Sequence, residues 1–325
     1  MLLTPLCGLL GIDVPVILAP FGPWDQVDLA AAMCQAGGLG SLGTAVRTVP
    51  ELRAQWAELR ERTDRPFAIN HTGRPFDPDA FAATLAFRPA AISFHMGIPA
   101  DLIQQAHDHG IRWLQTVGDV AAAEQAIAAG ADVVIAQGGE AGGNAGWVST
   151  MVLVPAVADV AGDVPVVAAG GIADGRGLAA ALTLGAQGAC LGTRFLATTE
   201  MTIDAEWKRR IVSARALDAV KVVNSEQVLP PFTLPQPGVR FVPRALRTAL
   251  TDQLEKDPAA VDAGQVRARF LEDVRHGGGQ DTLPFTGQSA ELIHDVLAAA
   301  DLMARLVTDA ERALRSAAAL LNSND

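Results

Sequence analysis

The chain has 325 residues, which is enough for one large α/β domain or two smaller domains. Half of the residues are hydrophobic and 19% are charged, so the composition supports a packed core and excludes a disordered chain. The formal net charge of −11, without a basic cluster, argues against nucleic acid and anionic membranes as partners.

Short apolar strands alternate with alanine-rich helices over the first 199 residues. The predicted strands cover residues 14–21, 39–45, 67–71, 91–96, 112–117, 133–137, 165–169 and 189–195. The predicted helices between them cover residues 25–36, 50–62, 78–87, 99–109, 119–129, 149–160 and 174–184. Asp119 is expected to be the N-cap of its helix, and Gly130 is expected to end it.

Eight consecutive strand–helix units predict a (β/α)8 TIM barrel. A doubly wound open sheet is the alternative, although it normally contains fewer strands. Catalytic groups of a barrel lie at the carboxyl ends of its strands, so the fold predicts a ring of polar and glycine positions there. These positions are Asn70, His71, His95, Gln115, 137–144, Gly170, Gly171, Gly192 and Thr193.

The pattern changes after residue 199. Residues 206–283 mix short amphipathic helices with a proline-rich stretch at 229–238, and we interpret them as a small, mostly helical lid subdomain. Residues 1–205 and 284–325 would then form the barrel domain. An apolar stripe that begins near residue 288 predicts one or two C-terminal helices packed against the barrel.

The sixth predicted strand runs directly into a loop with five glycines between residues 138 and 146. Such a loop allows a ligand to approach the backbone closely. The seventh strand ends in Gly170-Gly171, and the eighth contains Gly192-Thr193. Barrels commonly bind a phosphate group between these two units, so we expect an anion there, although the glycines could also serve only tight turns.

Several of these motifs together resemble the flavin mononucleotide (FMN)-dependent nitronate monooxygenases, formerly called 2-nitropropane dioxygenases. The resemblance extends over nearly the whole chain. The same motifs are also similar to those of flavin-dependent enoyl-acyl-carrier-protein reductases. The matching motifs are Leu18-Ala19-Pro20, Ile69-Asn70, Ser93-Phe94-His95, Gln137-Gly-Gly-Glu-Ala-Gly-Gly143, Ala169-Gly-Gly-Ile172, Leu191-Gly-Thr-Arg-Phe195 and Gly287-Gln288.

The resemblance implies roles for particular residues. Asn70 and Gln137 would hydrogen-bond the flavin ring and ribityl chain, because amides both donate and accept. Backbone groups of Gly142, Gly171 and residues 190–193 would surround the phosphate. The flavin-binding positions implied in this way are Ala19, Asn70, Gln115, Gln137, Gly142, Gly143, Gly170, Gly171, Cys190, Leu191, Gly192, Thr193 and Gln288.

One position departs from the family pattern. Most members have histidine after Glu-Ala-Gly-Gly, and this chain has Asn144. Asparagine can donate a hydrogen bond to a nitronate oxygen but cannot accept a proton at neutral pH. Oxidation of a nitronate, which is already deprotonated, should therefore survive better than use of a neutral nitroalkane.

Two other histidines are candidates for a base. His95 follows the fourth strand and His71 the third, although His95 could only orient a loop and a surface position is favoured for His71. Glu140 is expected to hold the glycine loop, and Cys190 to be a small core residue. The predicted catalytic group is thus Asn144 with His95 and His71.

The leading functional hypothesis is an FMN-dependent oxidoreductase of nitronate monooxygenase type that uses dioxygen. An NAD(P)H-dependent quinone or enoyl-acyl-carrier-protein reductase is the first alternative, because the usual histidine is absent. A non-redox phosphate-binding barrel is the second, disfavoured because no lysine precedes Lys208. Three scattered cysteines without a CxxC pair suggest reduced thiols in the cytoplasm and no metal site. No membrane span or signal peptide is expected, and an oligomer is possible.

Overall fold

The computed structural model describes residues 2–229 and 241–321. Eight parallel strands form one sheet, whose order is β1-β9-β8-β6-β5-β4-β3-β2. They are β1 (Val16–Leu18), β2 (Gly40–Gly43), β3 (Phe67–Thr72), β4 (Ala91–His95), β5 (Arg112–Val117), β6 (Val133–Gln137), β8 (Val166–Ala169) and β9 (Gly188–Leu191). A parallel bridge between Ile17 and Leu39 closes the sheet, so the predicted TIM barrel is confirmed.

Helices surround the barrel in the predicted alternation. They are α1 (Pro5–Leu10), α2 (Val27–Gln35), α3 (Val49–Arg62), α4 (Pro78–Phe87), α5 (Ala100–Asp108), α6 (Val120–Ala128), α7 (Thr150–Ala161) and α8 (Gly175–Thr183). The Asp119 carboxylate accepts a hydrogen bond from Ala122 N at 2.8 Å, which confirms it as the N-cap of α6. The barrel strands are almost wholly buried because helices cover their outer face.

The eighth barrel strand is shorter than the sequence predicted. It ends at Leu191, whose carbonyl accepts from Ala19 N in the last bond to β1. Beyond this point the chain turns at Gly192 into a single helical turn, α9 (Thr193–Leu196). The predicted extension to residue 195 is therefore wrong, because the neighbouring strand β1 ends first.

The C-terminal stripe forms a short 3-10 helix, Gln288–Leu292, and one long helix, α13 (Ala299–Ala319). These two elements agree with the prediction of one or two helices, although the segment between them is extended and Leu292 and Val296 are about two-fifths exposed. The predicted packing on the barrel is confirmed, because α13 lies against α8 and α2.

The segment after the barrel contains α10 (Ala205–Ser213), α11 (Ala249–Lys256) and α12 (Ala263–Arg275), and two strands that the sequence did not predict. These strands, β10 (Ala219–Lys221) and β11 (Val242–Leu246), form an antiparallel sheet with β7 (Gly143–Ala145) of the glycine loop. The glycine loop thus belongs to the barrel and to the added sheet at once. Most of the proline-rich stretch at 229–238 lies outside the described residues. Among the described helices, none is long and apolar enough to cross a membrane.

Candidate active site

A cavity of about 560 Å³ opens at the carboxyl ends of the barrel strands. Its size is within the range of about 300–1,000 Å³ that is typical of small-molecule sites. Nine of the predicted flavin-binding residues line it: Ala19, Asn70, Gln137, Gly142, Gly143, Gly170, Cys190, Gly192 and Thr193. All three predicted catalytic residues, His71, His95 and Asn144, also line it. Gln115, Gly171, Leu191 and Gln288 lie outside its lining.

Four buried polar atoms of the cavity lining have no hydrogen-bond partner within the described part of the chain. They are Ser41 Oγ, His95 Nε2, Gln137 Oε1 and Asn144 Oδ1. An unpaired buried polar atom costs about 1–3 kcal/mol, so four around one cavity require a ligand rich in hydrogen-bonding groups. The isoalloxazine ring of a flavin has donors and acceptors of this kind, and the residues present therefore fit the expected cofactor. Ser41 had not been identified from the sequence, because a lone serine in a strand carries no pattern.

Asn70 is fixed before any ligand binds. Its amide nitrogen donates to Ser93 Oγ at 2.9 Å and to Ser93 O at 3.2 Å. Since both bonds use Nδ2, the orientation of the amide is set by the neighbouring strand β4. Asn70 is therefore a preorganised contact at the end of β3.

The glycine positions bring three segments into close contact. Gly170 has a φ of +93°, and a Cβ there would lie 3.0 Å from Ala141 N. A Cβ on Gly142 would lie 2.7 Å from Gly287 N, which itself donates to Thr193 Oγ1 at 2.9 Å. Side chains larger than hydrogen are thus excluded where the glycine loop meets the ends of β8 and β9 and the C-terminal segment.

Gln288 enters this arrangement through its backbone. Its N–H donates to Glu140 O at 2.9 Å, which ties the C-terminal segment to the glycine loop. The Glu140 carboxylate in turn accepts from Thr150 N at 2.9 and 3.0 Å and from Thr150 Oγ1 at 3.0 Å. The prediction that Glu140 holds the glycine loop is confirmed by these bonds.

Two cations from the added segment hold the same loop, and neither was identified from the sequence. Arg244 donates through Nε and Nη2 to Gly139 O at 3.2 and 2.8 Å. Lys221 Nζ donates to Ala145 O and Gly146 O, both at 2.8 Å. Burial lowers the pKa of Lys221 to about 7, with a further contribution from the charge of Arg244.

His71 is buried, at 1% exposure, and the surface position favoured from the sequence is wrong. Its Nε2 lies 2.9 Å from Thr84 Oγ1, and its Nδ1 lies 3.5 Å from Thr44 Oγ1. Burial lowers its pKa to about 4. His71 is consequently neutral at pH 7, and its ring is held by α4.

His95 lines the cavity, its Nε2 is buried without a partner among the described residues, and its ring packs edge-on against Phe241, with ring centroids 4.8 Å apart. Burial lowers the pKa of His95 to about 4. A neutral imidazole of such low basicity can exchange hydrogen bonds with a ligand but is a weak proton acceptor at pH 7.

The side-chain amide of Gln115 forms hydrogen bonds within the protein. Its Nε2 donates to Phe94 O at 3.2 Å and Gly97 O at 3.0 Å, and its Oε1 accepts from Trp113 Nε1 at 3.0 Å. These bonds join the ends of β4 and β5 and place its amide outside the cavity lining. Cys190 is a buried strand residue at the cavity floor, and burial raises the pKa of its thiol to about 12.

Asp25 connects two loops that border the cavity. Its carboxylate accepts from Phe21 N at 2.7 Å and from Gly43 N at 2.6 Å. Burial raises the pKa of Asp25 to about 6, although these bonds and the charge of Arg47 oppose the rise. The loops after β1 and β2 are thereby held at a fixed separation.

Comparisons with known proteins agree on one family. The family model described as nitronate monooxygenase matches residues 4–74 and 71–309. A nitronate monooxygenase of Pseudomonas aeruginosa is 34% identical, over 81% of this chain and 93% of its own. A Mycobacterium tuberculosis protein named (3aS,4S,5R,7aS)-5-hydroxy-7a-methyl-1-oxo-octahydro-1H-indene-4-carboxyl-CoA dehydrogenase is 38% identical, over 79% of this chain and 70% of its own. The structure of FabK from Thermotoga maritima superimposes with a TM-score of 0.87 at 29% identity, covering 98% of this chain and all of that one.

Proposed function

The chain belongs to the nitronate monooxygenase family of flavin-dependent oxidoreductases, and from this premise we propose that it oxidises a nitronate with bound FMN and dioxygen. The observation that carries the proposal is the set of four polar atoms around one cavity at the barrel mouth that have no partner among the described residues. Because the family consists of oxidoreductases, membership also argues against the non-redox phosphate-binding barrel that was the second alternative from the sequence.

The residues that would hold FMN fall into two groups. Gln137 and Asn70 would hydrogen-bond the ring and ribityl chain, because their amides lie at the cavity ends of β6 and β3. Backbone at Gly170, Gly192 and Thr193 would receive the phosphate, since these positions line the cavity at the ends of β8 and β9. Bound there, FMN supplies the electron-accepting chemistry, while the protein supplies orientation.

The side chains of the site are poor proton acceptors at pH 7, which favours a substrate that is already an anion. Asn144 cannot take up a proton, and the pKa values of His71 and His95 are lowered to about 4. None of these groups is suited to removing a C–H proton from a neutral nitroalkane at pH 7. The Asn144 amide and the His95 imidazole can still hydrogen-bond the oxygens of a nitronate, which needs no deprotonation.

A reductase that takes hydride from NAD(P)H is the second candidate. Asn144 in place of the family histidine favours a changed reaction, and the superposition on FabK covers nearly the whole chain. An enzyme of this kind would reduce a quinone or an enoyl thioester. The same cofactor site would serve both candidates, so the electron donor distinguishes them.

The visible spectrum and anaerobic reduction test the proposal. We expect the purified protein to carry FMN, or to bind it on reconstitution, and to be bleached anaerobically by an alkyl nitronate but not by NADH. Bleaching by NADH alone would establish the reductase instead. A protein that neither contains nor binds FMN would contradict both candidates. Gln137→Leu should weaken FMN binding. Gln187→Leu is the control, because the side-chain oxygen of Gln187 is also buried without a partner among the described residues but Gln187 lies outside the cavity lining.

A further inference from the structure

One side of the cavity is aromatic. We call it the aromatic wall and define it by Trp24, Trp207, Phe270, Leu271, Val274 and Phe285, all of which line the cavity. The ring of Trp24 packs edge-on against Trp207, Phe270 and Phe285, with centroids 5.4 to 5.8 Å apart. These residues come from the loop after β1, from α10, from α12 and from the segment that precedes residue 288. The wall is therefore built where the added segment meets the barrel.

The wall offers a ligand almost no polar atom. Trp24 Nε1 donates to Gly278 O at 2.6 Å, and Trp207 Nε1 donates to Thr286 Oγ1 at 3.1 Å. Both indole donors are thus used within the protein, and the remaining side chains are hydrocarbon. A polar substrate group placed against this surface would lose its hydration without gaining a partner.

Within the described part of the lining, no cation is available to pair with a substrate carboxylate. Among the described residues that line it, Arg47 is the only lysine or arginine. Its guanidinium donates to the carbonyls of Gly22, Pro23 and Asp25 at 3.1 to 3.2 Å. The carboxylate of Asp77 lines the cavity as well and would repel an anionic tail.

We propose that the aromatic wall binds the hydrocarbon tail of the substrate, so that the enzyme selects nitronates with a long alkyl or an aromatic substituent. Small nitronates and nitronates that carry a carboxylate would bind more weakly. The identity of the reacting group rests on the proposed function, whereas tail binding rests on the wall alone. Each methylene group buried should increase affinity about fourfold.

Two measurements on the flavin-loaded protein test tail binding. The first is kcat/KM for primary alkyl nitronates from two to eight carbons, which should rise with each added methylene. The second is calorimetric binding of the unreactive alcohols from butan-1-ol to octan-1-ol, which should tighten over the same series. Binding of alcohols with this dependence, without nitronate turnover, would support the wall and contradict the proposed reaction. Turnover that does not depend on chain length would overturn the wall.

Variants of α12 supply the matched comparison. Leu271 is partly exposed and lines the cavity, and Val266 is a partly buried residue of the same helix outside the lining. Leu271→Gln should lower the ratio of octyl to ethyl nitronate kcat/KM about tenfold, because it places an amide against the tail. Val266→Gln should leave that ratio unchanged. Val274→Thr keeps the side-chain shape, so it should fold and should lower the ratio as well; an unchanged ratio in both cavity variants would overturn the proposal.

Discussion

The ammonium nitrogen of Lys221 lies 2.8 Å from the main-chain oxygen of Ala145, the residue that follows Asn144. The same nitrogen donates to Gly146 O at 2.8 Å and to Val242 O at 3.1 Å. Three carbonyls, from the end of β7, from the residue after it and from β11, thus accept from one nitrogen. Through these bonds Lys221 acts as a positioning residue for the part of the glycine loop that presents Asn144 to the cavity.

Lys221→Met should therefore reduce nitronate kcat/KM about tenfold, since charge-assisted hydrogen bonds contribute about 1.5–3 kcal/mol each. Because the pKa of Lys221 is lowered to about 7, the ammonium is lost as the pH rises through neutrality. Wild-type activity should decline over that interval, and the variant should lack this decline. Lys256→Met, at the exposed end of α11, is the control. Equal pH profiles for Lys221→Met and wild type would show that Lys221 has no influence on Asn144.

Asn144→His should extend the activity to neutral nitroalkanes. The side-chain oxygen of Asn144 is buried in the cavity lining and has no partner in the described part of the chain, so an imidazole placed there would face the substrate. Imidazole can accept the C–H proton that asparagine cannot. Steady-state rates with nitroethane and with its nitronate measure the effect. If neither rate changes, residue 144 does not contact the substrate.

The two buried histidines make the fold sensitive to acid. The pKa of His95 is about 4 in the folded protein and about 6.5 in an unfolded chain, so the unfolded state binds the proton first as the pH falls. The stability that the neutral ring contributes is present above pH 6.5 and is lost progressively down to pH 4. Asp25, with its pKa raised to about 6, acts in the opposite direction over part of this range.

Between pH 7 and pH 5, the free energy of unfolding of wild type should consequently fall by about 2 kcal/mol more than that of His95→Gln. Urea unfolding at the two pH values measures the difference. His109→Gln changes a partly exposed histidine at the end of α5 and is the control. An unchanged pH dependence in His95→Gln would mean that His95 is protonated as readily in the folded state as in the unfolded chain.

Val46 adopts a backbone conformation that a β-branched residue rarely takes. Its φ is +57°, and its side chain is 62% exposed at the cavity rim. Since the strain is not compensated by burial, Val46→Asn should stabilise the protein by about 1 kcal/mol and raise Tm by about 2 °C. Scanning calorimetry checks this, with Val223→Asn as an exposed valine control. A lower Tm for Val46→Asn would show that the valine side chain contributes more than its backbone costs.

The barrel was predictable because its signals are local. Apolar runs such as residues 133–137 and 166–169 form the buried strands, and Asp119 caps a helix within three residues of itself. Glycine positions at the strand ends were recognisable because no other residue permits that chain geometry.

The sheet that contains β7 could not be predicted in this way. It pairs residues 143–145 with residues 242–244, about a hundred positions later, and each strand is too short for alternation to be visible. The aromatic wall could not be predicted for the same reason, because Trp24 and Phe270 are far apart in the sequence and come into contact only in the folded protein. Gln115 was expected to bind the flavin because it lies in a barrel strand, but its amide nitrogen is used by the carbonyls of Phe94 and Gly97, which only the structure shows.

The pairing of Asn144 with Pro243 has a practical consequence for altering this enzyme. Residue 144 lies in β7, and the position of β7 depends on its pairing with β11, which is outside the barrel. Libraries of variants at residues 219–221 and 242–246 would change the position of that strand and leave the contacts within the eight-stranded barrel intact. Reaction preference could thus be altered from the added sheet, without a replacement among the residues that line the cavity.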